Sequence, residues 1–197
     1  MVYMFKKFVF LIAFLYVGFS SRTMATTIVP SPVPAPATVR SKPVDNVQNT
    51  FDEYMKSHQY QKALVLTNMC LQTEPNSFEM YNNRGEVYKS LGQYNLAVKD
   101  FDKAIILNKN YVLAYANKAG VKIRLKDFKG AIDVYSKIIA IEPNDWKHYN
   151  NRGIARLAIG DYRGSIEDFN KAITLNRNVA SLYENREVAR HLLELTK

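Results

Sequence analysis

Five asparagines recur at one spacing: Asn49, Asn83, Asn117, Asn151 and Asn185, each 34 residues from the next. A carboxamide offers both a donor and an acceptor. An even row of them suits an extended peptide backbone, whose free N–H and C=O groups need partners. Little else in the chain is arranged like a reactive site. His58, His148 and His191 share no phase in this spacing and have no nucleophile nearby in sequence, so they read as surface or turn histidines. Asp52, Glu53, Asp100 and Asp168 fall on expected helices in phase with the spacing, and repeated acids of this kind read as structural. Cys70 is the only cysteine, which precludes an intramolecular disulfide and a cysteine-based zinc site and reads as a small buried residue. No Gly-x-x-x-x-Gly-Lys phosphate cradle and no Gly-x-Ser-x-Gly elbow is present, and both are sequence signatures of catalytic or nucleotide sites. The chain is therefore read as a non-enzyme that needs no cofactor and no metal.

The same spacing organises the elements that must hold the asparagines. Asn82-Asn83-Arg84-Gly85 returns as Asn150-Asn151-Arg152-Gly153, and Tyr81 returns as Tyr115, Tyr149 and Tyr183. Leu91-Gly92-Gln93-Tyr94 returns as Ile159-Gly160-Asp161-Tyr162, and the pair Ala97 and Phe101 returns as Ala131 and Tyr135, then Ser165 and Phe169. Ala63 and Thr67 form a weaker first copy. Each unit reads as helix, tight turn, helix, break, with the turns at His58, Gly92, Lys126 and Gly160. Small residues at Gly85, Ala119 and Gly153 are expected to meet Ala97, Ala131 and Ser165, because two helices approach closely only where side chains are short. Aromatic residues such as Tyr94, Phe101, Phe128, Tyr135, Tyr162 and Phe169 then fill the space between neighbouring pairs. A lone pair cannot bury its apolar face, so stacking supplies the core. Arg84 and Arg152 are expected to pair with Asp100 and Asp168, at one common separation.

These columns resemble the tetratricopeptide-repeat (TPR) family over about residues 44–179, with a half-copy over about 180–195. The resemblance implies an all-α fold: a right-handed superhelical solenoid of four helix pairs plus a C-terminal closing helix. The expected repeats are about 44–77, 78–111, 112–145 and 146–179 within a domain spanning 44–197. The first unit departs from the family pattern, with Phe51 and Thr67 where a small and an aromatic residue usually stand. In this family the first helices line a concave groove, and the asparagine column faces it, as in the asparagine ladder of O-linked N-acetylglucosamine transferase. The expected peptide-binding set is Asn49, Asn83, Asn117, Asn151 and Asn185, joined by Asn82, Asn150, Lys147, Ile123, Ile154 and Leu157. The groove reads as mostly polar and acidic at Asp45, Asp52, Glu79, Asn82, Glu86 and Lys89, and as apolar at Leu113, Gly120, Ile123, Ile154, Leu157 and Val188, with Lys147 at the rim. Two plainer readings stand beside this one: a structural role for the asparagines, and coverage of the apolar residues by neighbouring units. A clamp for a C-terminal carboxylate, known in the family, is not expected. Asn117 and Lys147 match its pattern, whereas Asn82, Glu86 and Asn151 do not.

The N-terminus differs in composition. Lys6 and Lys7 precede a run of apolar residues from Phe8 to Phe19. About twelve helical residues rise roughly 18 Å, short of the ~30 Å hydrocarbon core of a bilayer. Residues 1–25 therefore read as a secretory signal peptide, with an uncleaved signal anchor as the alternative. Export to a periplasm or out of the cell is expected on the first reading, and membrane tethering on the second. Residues 26–43 carry Pro30, Pro32, Pro34, Pro36 and Pro43 and read as a semi-rigid linker. The formal charge is +9, spread too evenly for a dedicated nucleic-acid binder, so no nucleic acid is expected as a partner. The leading expectation is a non-enzymatic scaffold that binds an extended peptide segment of a partner protein. The alternative is an assembly or adaptor subunit at a membrane surface, using its convex face and basic charge.

Overall fold

A computed structural model describes residues 44–196; the signal-peptide reading of residues 1–25 and the linker reading of 26–43 lie outside them. Nine α-helices and no strand are found among the described residues. They are α1 (Val44–Lys56), α2 (Tyr60–Thr73), α3 (Phe78–Ser90), α4 (Tyr94–Leu107), α5 (Val112–Arg124), α6 (Phe128–Ile141), α7 (Trp146–Ala158), α8 (Tyr162–Leu175) and α9 (Ala180–Leu195). Each helix packs on its neighbours in sequence, so four antiparallel pairs stack into a solenoid that α9 closes. No described helix is long and apolar enough to cross a membrane.

The tight turn inside each pair has a left-handed residue at the expected place. Gly92 and Gly160 have φ of 73° and 80°, while His58 and Lys126 have φ of 55° and 58°. Glycine adopts this region freely, whereas a residue with a Cβ meets a cost of about 1–2 kcal/mol there. The helix that follows is capped by a carboxylate in two units: Asp127 accepts from the Gly130 N–H and Asp161 from the Gly164 N–H.

The close approach within pairs is sharper than small against small. A Cβ placed on Gly85 would lie 2.5 Å from the Phe101 ring, and one on Gly153 would lie 2.8 Å from the Phe169 ring. Each glycine therefore seats the ring of its own pair directly. Ala97, Ala131 and Ser165 are themselves fully buried. Phe101 also packs with Val121 of the next unit, so one ring serves both the pair and the stack. In the first unit the roles are exchanged. Phe51 on α1 and Thr67 on α2 occupy the columns of Gly85 and Phe101, and both are buried. The Thr67 hydroxyl is satisfied by donating to the Ala63 and Leu64 carbonyls.

The closing helix buries Leu182 and Ala189, and Leu182 packs with Tyr149 and Ala172 of the fourth unit. Glu187 stands where earlier units have Gly85, Ala119 and Gly153. Its carboxylate lies 3.4 Å from Arg186 and 2.8 Å from Arg190. A carboxylate tied to two arginines leaves no seat for another ring, which fits a terminal face turned to water.

Candidate peptide-binding face

Two columns of polar residues on the first helices are bonded in a repeating pattern, and the pattern sorts the expected site residues. In the first, a cation reaches both forward and back by 16 residues. Arg84 forms a two-pronged pair with Asp100, at 2.7 and 2.8 Å, and also donates to Asn68 on the preceding unit. Arg152 repeats this with Asp168 and Ser136. The pairs are the expected ones. They are better shielded than ordinary surface bridges, since the Asp100 and Asp168 side chains are only 9% and 3% exposed. Lys118 reaches back to Asp102 but has nothing to reach forward to, because position 134 is valine. Arg186 reaches back to Asn170, and its Nε is buried without a partner.

The second column is the asparagine series, and most of its amide groups are already engaged. Asn83 donates to Gln48 at 2.9 Å, Asn117 to Asn82 at 3.0 Å, and Asn185 to Asn150 at 3.1 Å, each across 35 residues. Each bond joins one first helix to the previous one. A structural role therefore accounts for these three side-chain N–H groups. The Asn117 carbonyl oxygen is also occupied, accepting from Lys89 at 2.9 Å. Asn82 and Asn83 are buried, so neither offers an open carboxamide to an extended chain. Asn49 is exposed. Asn151 is the exception to the bonding rule. Its partner position is Ala116, which has no acceptor, and its only side-chain contact among the described residues is a long 3.5 Å approach from Asn150.

The apolar positions expected in the second half are accessible. Leu113, Ile154 and Val188 are 50%, 43% and 50% exposed on α5, α7 and α9, while Ile123 and Leu157 are half-buried. Neighbouring units do not cover the first three. Lys147 is exposed on α7, and among the described residues its ammonium has no partner. Gly120 lies between these side chains in the repeat phase, and a Cβ built there meets nothing within 4 Å among the described residues. Asn151, Ile154, Leu113 and Lys147 therefore gather at the third and fourth units. Asn49, Asn82 and Asn83 lie toward the other end.

The acidic half has an electrostatic signature. The Tyr111 hydroxyl is pushed above its ordinary range by burial, and further by the charges of Glu79 and Glu86. Its ring packs edge-on against Phe78, 4.8 Å between centroids. The signal that sequence reading missed was the neighbouring column of Gln48, Asn82, Ala116, Asn150 and Glu184, which supplies the acceptors and fails at Ala116. One further cluster involves His148, which the sequence reads as a surface or turn histidine. His148 Nε2 lies 2.9 Å from Glu142 and 3.7 Å from Asp145, while Asp145 also caps α7 through the Lys147 N–H. These contacts fasten the loop between α6 and α7 to the start of α7.

Comparison with known proteins gives the following. A family model described as tetratricopeptide repeat matches residues 78–111, and a second model of the same description matches 112–145 and 148–179. No curated protein sequence matches the chain. Among solved structures, a crystal structure of MamA protein superposes with a TM-score of 0.69 at 20% identity, covering 77% of this chain and 82% of that one. The TPR domain of Arabidopsis OM64 superposes with a TM-score of 0.53 at 26% identity, covering 58% of this chain and 94% of that one. The first TPR of Spaghetti (RPAP3), bound to the HSP90 peptide SRMEEVD, superposes with a TM-score of 0.55 at 21% identity, covering 59% of this chain and 93% of that one.

Proposed function

The chain belongs to the tetratricopeptide-repeat family, and from that premise we propose that it binds an extended peptide segment of a partner in the groove of its first helices. At the coarser level it is a non-enzymatic scaffold of the kind that binds proteins or peptides. The observation that carries the finer reading is the Asn151 carboxamide, bonded to no other helix among the described residues, beside exposed Ile154, Leu113 and Lys147. A donor and acceptor aimed at a backbone, with apolar side chains around it, is the combination an extended segment needs. Exposed apolar surface of this kind marks partner sites on soluble proteins. The peptide held by the Spaghetti repeat lends the reading support by analogy of fold.

Magnitudes limit what the asparagines contribute. One net hydrogen bond adds about 0.5–1.5 kcal/mol, against about 8 kcal/mol for micromolar binding. The apolar pockets therefore supply most of the affinity. Peptide-array capture with the full-length chain tests this. Asn151→Ala is expected to weaken the captured signals about three- to tenfold, and Glu167→Ala, on the second-helix face, to leave them unchanged. Equal losses from both substitutions would reject the groove. Export by residues 1–25 belongs to the same proposal. It predicts a chain shortened by about 20–25 residues in the envelope or medium, read by intact mass.

A further inference from the structure

We propose that the occupant of the groove carries a basic side chain at the second unit and apolar side chains over the third unit, the fourth unit and the closing helix. This deepens the peptide-binding reading and rests on it. Two rows of groove positions run along the stack at the repeat spacing, and both leave an acidic residue at the second unit for an apolar or absent side chain at the third. In one, Glu79 is followed by Leu113 and then Lys147. In the other, Glu86 is followed by Gly120, Ile154 and Val188.

The acidic end is under-neutralised. Glu79 is exposed and, among the described residues, accepts only from the Ser77 hydroxyl. Glu86 lies 3.7 Å from the Lys89 ammonium, which makes its closer bond, 2.9 Å, to Asn117. Burial first, and then the charges of Glu79 and Glu86, push the Tyr111 hydroxyl above its ordinary range. On the third unit, Lys118 is committed to Asp102 and Lys122 to Asp127. Lys147, without a partner among the described residues, stands in the Glu79 row two units on, so the row runs from negative at the second unit to positive at the fourth. A basic side chain is therefore placed at the second unit and disfavoured at the fourth.

Gly120 is the second, independent sign of an occupant. A glycine inside a helix destabilises it by about 0.5–1 kcal/mol relative to alanine. At Gly85 and Gly153 the fold explains that cost, since a ring occupies the space. At Gly120 no described atom does. Close approach of another backbone is the remaining use of a missing side chain, and the position lies between Glu86 and Ile154 in its row.

Neighbouring first helices pack at about 8–10 Å and an extended chain rises about 3.3 Å per residue. One unit thus corresponds to about three residues of occupant. The test uses the full-length chain and fluorescence anisotropy with three labelled dodecapeptides. The first has a lysine followed by leucines at three-residue steps. The second has glutamate for the lysine, and the third has serine for the leucines.

The first peptide is expected to bind at least about tenfold more tightly than either of the others. Glu79→Lys with Glu86→Lys is expected to invert the preference between the first and second. Gly120→Trp is expected to weaken the first by about tenfold or more, with an unchanged melting transition. Ile154→Glu, at an exposed site, provides the same block if the tryptophan variant does not fold. An unchanged charge preference in the double variant, with blocking by Gly120→Trp intact, overturns the basic–apolar occupant and leaves the groove standing. Binding indifferent to both blocking substitutions overturns the groove and this inference together. So does the absence of binding by any peptide at about 1 mM.

Discussion

Units two and four (78–111 and 146–179) and unit three (112–145) share one backbone plan but are held together differently. In units two and four an arginine grips a buried aspartate, Arg84 with Asp100 and Arg152 with Asp168. The same arginines lie over the faces of Tyr81 and Tyr149 at 5.4 and 5.8 Å, and those tyrosine hydroxyls donate to the carbonyls of Pro75 and Pro143. Unit three keeps the tyrosine, as Tyr115, and replaces the ion pair. Lysine stands at 118, Val134 fills the aspartate position, and Val134 joins an apolar cluster with Tyr115, Ala119, Ala131, Tyr135 and Ile138. A polar latch and an apolar plug are thus interchangeable ways to fasten one helix pair, as expected where desolvation cancels most of an ion pair's attraction. Unit three also differs at the surface. Ala116 offers no side-chain acceptor, so Asn151 makes no such bond to unit three. The interior and the candidate site differ from the other units at the same place.

The largest expected effect comes from breaking one half of a latch. Asp168→Ala removes the carboxylate that Arg152 and Arg156 both approach within 3.0 Å, leaving Arg152 with Ser136 and Arg156 with Asp161 and the Gly164 carbonyl, and is expected to destabilise by about 3 kcal/mol. Converting the site to the chemistry of unit three, with Asp168→Val and Arg152→Lys together, is expected to recover at least about half of that loss. Urea titrations of both variants measure the difference. If the double variant is no more stable than the single, the two fastenings are not interchangeable.

A smaller contrast lies within the asparagine column. Asn117→Ala removes the partner of buried Asn82 and is expected to cost about 1–3 kcal/mol. Asn151→Ala removes no bond to another unit and is expected to change stability by less than about 0.5 kcal/mol. Thermal unfolding of the two variants separates a structural asparagine from a free one. Equal losses would show that Asn151 is also part of the fold.

The smallest effect is one of pH, and it belongs to unit three. The Asp127 carboxyl is held below its ordinary value by the Lys122 ammonium and then by the Gly130 N–H. A carboxyl lowered in the folded state adds stability above its unfolded value, near 4, and that stability is lost as pH falls through the lower folded value. Asp127→Asn is therefore expected to flatten the stability profile slightly below about pH 4 and to leave its shape above about pH 6 unchanged. Glu167→Gln, on an exposed site, provides the comparison.

Much of this was legible in the sequence, for definite reasons. The spacing placed every left-handed turn, including His58 and Lys126, because the turn recurs whatever residue occupies it. It also located the Arg–Asp pairs, because both partners repeat together at one separation. The exchange of Phe51 and Thr67 was visible as a departure from the pattern. That the two compensate each other is a fact of packing, not of either residue's type. The asparagine column was legible as a column but not as bonds, since its donors are satisfied by a neighbouring column 35 residues back. The openness of Leu113, Ile154 and Val188 depends on how closely units stack, which no single unit's sequence specifies.

The most direct measurement of the central claim is site-specific photo-crosslinking on the two faces. A photoreactive residue is placed at Ile154, on the first-helix face, or at Glu167, exposed on α8, in the full-length chain with a bound labelled peptide. The account predicts crosslinks from position 154 that an unlabelled peptide displaces, and none from position 167. Crosslinks from 167 with none from 154 would contradict it.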